Sequence, residues 1–172
     1  MIVLETNNLK IITCDTEILK SAVEGNEILA NKLNVIVQDG WTEFGTEALQ
    51  YSLDRLSENK EEGGWWTYFP VHKLDNKLIG SGGYKGQPTT EGAVEIGYEI
   101  SPAYRMKGLA TEMALALIEN AKKDKRVKSI IAHTLGHENP STTVLQKCGF
   151  TKVQEINDPE DGLIWKWDLK LH

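Results

Sequence analysis

Apolar and polar positions alternate along this chain with two different periods, and the change between them falls at one junction. From Val94 to Ser101, Val94, Ile96, Tyr98 and Ile100 point one way and Glu95, Gly97 and Glu99 the other, which is the period of a strand. Pro102 has no N–H to donate and closes it. From Gly108 the period lengthens. Leu109, Met113, Leu117 and Ala121 are apolar at four-residue spacing, as on the buried face of a helix. Between the two lies Arg105-Met106-Lys107-Gly108-Leu109-Ala110, a basic turn leading into a helix N-terminus.

Upstream, Leu9 to Thr13 reads as a strand. Asp15 or Thr16 caps a helix over Glu17 to Glu24, and Gly25 breaks it. A short second helix is expected at Glu27 to Leu33, then a loop. Thr46 to Lys60 is amphipathic, with Ala48, Leu49, Leu53 and Leu56 on one side. Trp65 to Lys73 is an aromatic-rich strand, which Pro70 puts near an edge or a bend. Residues 74–77 have hairpin-turn composition, and Leu78 to Tyr84 returns as a strand whose Gly80, Gly82 and Gly83 leave room for close approach. Downstream, Val127 to Thr134 is a buried strand. It follows a helix that follows a strand, so it should pair in parallel with 94–101 through a right-handed crossover. Ser141 to Lys147 is a helix, and Phe150 to Ile156 with Leu163 to Leu171 form a closing antiparallel hairpin. The aromatics Trp41, Phe44, Trp65, Trp66 and Tyr68 either fill the core or line a groove.

Composition narrows the class. At 172 residues, with 40% hydrophobic and 26% charged positions, one domain over 1–172 is the simplest reading. No apolar run approaches the ~20 residues that cross a bilayer. The start is too polar after Leu4 for a signal peptide, so no membrane partner and a cytoplasmic location are expected. Cys14 and Cys148 are the only cysteines and read as packing residues. Lys122 to Arg126 suits a helix C-terminus. The net charge of −6 argues against a nucleic-acid partner and favours a cationic substrate.

The junction has a chemical meaning. The first N–H groups of a helix lack intrahelical partners and lie at the positive end of the macrodipole. Gly108 lets an anion approach the backbone, Arg105 and Lys107 add positive charge, and Thr111 adds a hydroxyl. The residues suit a pyrophosphate, or an ordinary strand-to-helix turn with a solvated basic face.

Arg105-x-x-Gly108-x-Ala110, after a strand ending Ile100-Ser101-Pro102, resembles the R/Q-x-x-G-x-G/A motif of the GNAT superfamily of N-acetyltransferases. Asn139-Pro140-Ser141 through Val144-Leu145-Gln146-Lys147-Cys148-Gly149-Phe150 resembles a segment of its ribosomal-protein (RimJ/RimL-like) branch. The resemblance implies the acyl-CoA N-acyltransferase fold: α/β, a single mixed, mostly antiparallel twisted sheet of about seven strands with flanking helices. It implies acetyl-CoA as co-substrate, with the diphosphate on Arg105, Met106, Lys107, Gly108, Leu109, Ala110 and Thr111. The pantetheine amides would run beside Tyr98 and Ile100, and Asn139 and Ser141 would lie near the thiol. Asn139 serves equally as a helix cap.

The implied reaction is direct attack of an amine on the thioester, the acceptor being a protein N-terminus or a small amine. Glu95 or Glu99 is the candidate base, Glu95 the better placed; it serves equally to pair with a neighbouring strand or the substrate's cation. Many relatives carry a Tyr where Leu145 stands. Ser141 is the remaining local hydroxyl, suited to orienting the thiol or a water. A non-catalytic acetyl-CoA-binding sensor or scaffold is the alternative. His133 and His137 lack the surroundings of a metal site, so no metal is expected. The chain is expected to be a monomer or homodimer.

Overall fold

The computed structural model describes residues 2–171. The elements run β1 (Val3–Glu5), β2 (Leu9–Thr13), α1 (Thr16–Glu24), α2 (Asn26–Leu33), α3 (Gly45–Glu58), β3 (Thr67–His72), β4 (Lys77–Leu78), β5 (Gly80–Tyr84), β6 (Ala93–Ile100), α4 (Leu109–Lys122), β7 (Ser129–Leu135), α5 (Pro140–Lys147), β8 (Thr151–Asp158) and β9 (Gly162–Lys170). One sheet of nine strands has the order β1-β2-β3-β5-β6-β7-β9-β8, with β4 beside β3. Among the described strands only β6 and β7 pair in parallel, through α4, and the other strand pairs are antiparallel; a single parallel bridge joins Ile36 to Lys77. This is the mixed, mostly antiparallel α/β architecture expected, with nine strands rather than about seven. The extra two are short. Three-residue β1 lies in the polar start, and β4 separates from β5 at Ile79. Pro70 is interior to the sheet, at the bend where β3 passes from β5 to β4, and its carbonyl accepts the Ile79 N–H at 3.0 Å.

The sheet has a core on each face. Ile11 packs with Met113, Leu117 and Ile118 of α4, whereas its neighbour Ile12 packs with Ile18, Leu19, Leu49 and Leu53 of α1 and α3. Adjacent residues of a strand face opposite ways, so β2 is buried on both sides. Asp15 caps α1, its Oδ1 accepting the Ile18 N–H at 2.8 Å. Strand β8 is largely exposed.

Three contacts fix where α4 sits. Met113 is fully buried against Gly82, where an added Cβ would lie 2.7 Å from Met113 Cε and 2.6 Å from the Gly97 carbonyl. Tyr84 donates to the Leu117 carbonyl at 2.5 Å, and Asn120 donates to the hydroxyls of Tyr84 and Tyr68 at 3.1 and 3.3 Å. Burial pushes both phenols up, so they act as neutral donors. In the first turn, Glu112 accepts from the Thr6 hydroxyl and, at 2.9 Å each, from the Asn8 N–H and side-chain amide.

Gly82→Ala should cost about 1–3 kcal/mol, as overpacked sites do, because backbone and Met113 must both shift; chemical denaturation measures it. Glu112 gives a pH signature. Burial raises its carboxyl, but the bonds from Thr6 and Asn8 outweigh that and hold it below the ordinary carboxylate range. Its contribution is therefore complete above that range and is lost as pH falls through the lowered value. Denaturation midpoints across acid pH should fall less steeply in Glu112→Gln than in the parent chain.

Candidate active site

Strands β6 and β7 are paired over three residues and then part. The register is Ala93↔Ser129, Val94↔Ile130 and Glu95↔Ile131. Beyond it β6 stays on β5 as far as Ile100↔Gly80, and β7 stays on β9 as far as Leu135↔Ile164. Each keeps its outer partner and loses the inner one. The Lys85 N–H donates to the Glu95 carbonyl at 3.1 Å and the Ser101 N–H to the Ile79 carbonyl at 2.7 Å. Odd-numbered residues of β6 therefore turn their backbone groups toward β5, and even-numbered ones toward the gap. Arg105 Nε donates to the Ile100 carbonyl at 2.9 Å. The N–H and C=O of Tyr98 and the N–H of Ile100 face the opening without a strand partner.

The N-terminus of α4 lies at the end of the same strand. Gly108, at φ 77°, is its N-cap residue, and no side chain caps the helix. The first helical bond runs from the Glu112 N–H to the Gly108 carbonyl, so the N–H groups of Leu109, Ala110 and Thr111 have no intrahelical acceptor. Met106 is also left-handed, at φ 61°, and fully exposed. Nothing lies within 4 Å of a Cβ built at Gly108, so the turn is open to a ligand. Leu109 is buried and anchors it, while Ala110 and Thr111 are half-buried. Lys107 Nζ sits 5.1 Å above the Tyr104 ring. The Tyr104 hydroxyl donates to Asp75 at 2.6 Å, a bond that pushes its pKa up to about 12. Arg105 is less free than the motif implies, since its guanidinium pairs with Glu43 at 2.8 Å.

The remaining expected residues are placed as follows. Asn139 caps α5: its Oδ1 accepts the Thr142 N–H at 3.0 Å, its Nδ2 donates to the His137 carbonyl at 2.9 Å, and its own N–H donates to Thr142 Oγ1. Ser141 is exposed in the first turn of α5, and Leu145 is buried in the core. The two glutamates differ. Glu99 is buried and accepts from the Thr42 hydroxyl at 2.8 Å and the N–H groups of Glu43 and Phe44 at 2.5 and 3.1 Å, which organises the loop before α3. Glu95 Oε2 lies 2.7 Å from Lys85 Nζ and 3.1 Å from His133 Nδ1. Between them, Gly97 presents open space.

An uncapped helix N-terminus, an open glycine and unpaired strand groups lie in one line, and they are donors of the kind an anion and an amide-bearing chain use. Comparison with known proteins gives the class. The model of the acetyltransferase (GNAT) domain matches residues 32–151. An uncharacterized N-acetyltransferase of Bacillus subtilis (strain 168), YjdG, is 29% identical over 151 residues, 87% of this chain and 90% of that protein. The ribosomal-protein-S5-alanine acetyltransferase of Vibrio fischeri superposes with TM-score 0.72 at 18% identity, covering 99% of this chain and 97% of that one. RimL, a ribosomal L7/L12 alpha-N-protein acetyltransferase in complex with coenzyme A, gives 0.72 at 12% identity, covering 98% of each. The chain belongs to the GNAT acetyltransferase family and is an N-acetyltransferase; the family uses acetyl-CoA.

Sequence reasoning missed the partners. Nothing along the chain pairs His133 or Lys85 with Glu95, Glu43 with Arg105, or the Thr42–Phe44 loop with Glu99. Gly108→Ala should fold, because no atom opposes the new methyl, at a cost of about 1–2 kcal/mol for a left-handed L-residue; thermal melting of the free protein measures that cost.

Proposed function

We propose that this chain moves the acetyl group of acetyl-CoA to a primary amine by direct attack. The observation that carries the reading is the uncapped, glycine-opened N-terminus of α4 at the end of the strand that parts from β7. The diphosphate is held by the N–H groups from Met106 to Thr111, with Lys107 adding charge and Arg105 bracing the turn through Ile100 and Glu43. The pantetheine amides pair with the gap-facing groups of Tyr98 and Ile100 as a partial extra strand. That route carries the thioester into the opening, toward Gly97. Ser141 is the hydroxyl that orients the thiol or a water, and Asn139 holds the start of α5 that presents it. When bound, acetyl-CoA supplies the activated acyl group.

The acceptor is a protein N-terminus or a small amine, attracted by the acidic surface of a chain with net charge −6. The resemblance to ribosomal-protein acetyltransferases supports peptide amines as the first to try. The protein acts in the cytoplasm as a monomer or homodimer, without nucleic-acid or membrane partners.

CoA should raise the melting temperature and give a calorimetric signal, because a ligand that binds only the folded state stabilises it. Gly108→Val, which sets a branched side chain over the turn, should weaken that binding at least tenfold. Thiol release from acetyl-CoA should rise with a primary amine. Absence of heat and of thermal stabilisation at saturating CoA would overturn the reading, and binding without transfer would favour a sensor.

A further inference from the structure

We propose that His133 is the general base that receives the proton shed by the attacking amine, with Glu95 as the residue that positions it. The proposal rests on the acetyl-transfer reading above. His133 lies on β7 two residues beyond Ile131, the last residue paired with β6. Strand alternation puts its side chain on the face that carries Glu95 and Gly97. It therefore borders the opening, next to the open space at Gly97. The imidazole is partly exposed, at 30%, and the Glu95 carboxylate is more enclosed, at 18%.

The contact with Glu95 favours one tautomer of the neutral ring. An ionised carboxylate only accepts, so with Glu95 Oε2 at 3.1 Å the proton sits on His133 Nδ1 and the lone pair on Nε2. Nε2 is then the acceptor of the ring. Glu95 is the poorer base, because the same Oε2 also takes the Lys85 ammonium at 2.7 Å. The charged groups around the ring come from three strands. Glu95 faces it from β6 and Lys85 from the end of β5. From β9, Lys166 stands directly opposite in the register, and Asp168 opposite Ile131.

The step balances. The amine nitrogen attacks the thioester carbon and the N–C bond forms. Nε2 takes the proton the nitrogen sheds, giving an imidazolium paired with Glu95. The C–S bond breaks with its electron pair on sulfur, and the imidazolium returns the proton to the thiolate through solvent. The products are an amide and a thiol, and His133 ends neutral.

The test is thiol release from acetyl-CoA across the neutral pH range, with small primary amines, with peptides bearing a free N-terminus, and with water alone. Calorimetric CoA binding is measured alongside. His133→Gln should lower kcat about 10²–10⁴-fold, with KM for the amine and CoA affinity unchanged. Glu95→Gln still offers an acceptor to Nδ1–H, so its loss should be smaller. That loss should fall on kcat, with KM for the amine and CoA affinity unchanged. His133→Gln with parental kcat overturns the proposal, as does Glu95→Gln with parental kcat. A parent chain that binds no CoA, or binds it and releases no thiol, overturns the functional reading itself, and the base falls with it. That outcome is read on the parent chain and so is distinct from failure of the base alone.

Discussion

The structure depends on two strands being unable to stay together. β6 and β7 leave their parallel pairing after Glu95 and Ile131 because each is committed elsewhere. Five residue pairs hold β6 to β5, and seven hold β7 to β9. Each strand follows its own outer neighbour, and the twist of the sheet carries the two apart. What this leaves is a row of main-chain donors and acceptors inside a folded domain, and such groups seek partners. Arg105 takes one, the carbonyl of Ile100. Those of Tyr98 suit a ligand shaped like a strand.

Helix α4 completes the arrangement because it is held so firmly. Met113 on Gly82, the buried phenols around Asn120 and the grip of Glu112 on the β1–β2 turn leave its axis little freedom. Its N-terminus therefore stands at the mouth of the opening. The positive end of the helix, together with Lys107, makes a local cationic spot on an acidic protein. The two faces of the sheet divide the labour. The face under α4 supplies the apolar wall, with Val94, Ile96 and Ile100. The opposite face carries Glu95, the space at Gly97, and His133.

Much of this was legible in the residues. Alternation along 94–101 shows which side chains of β6 are buried, because a strand has only two faces. The turn at 105–110 announces a basic, glycine-bearing helix start, and the structure adds that no side chain caps it. Asn139, ahead of a proline and three residues before Thr142, is placed as a cap by geometry local to one turn. The ends of the chain were harder. β1 holds only three residues, too few to show a period, and its place on β2 comes from pairing rather than propensity.

Local chemistry, read along one stretch of chain, determined the elements, the two faces of β6 and the basic, glycine-bearing start of α4, because these follow from neighbours a few residues apart. Tertiary structure decided who meets whom. Glu95 meets His133 only through a parallel register set by the crossover, and Glu99 meets the Thr42–Phe44 loop and Arg105 meets Glu43 only because the segment before α3 reaches the end of β6. A side chain's partner is fixed by how strands and helices align in space, and no spacing within a single stretch carries that alignment.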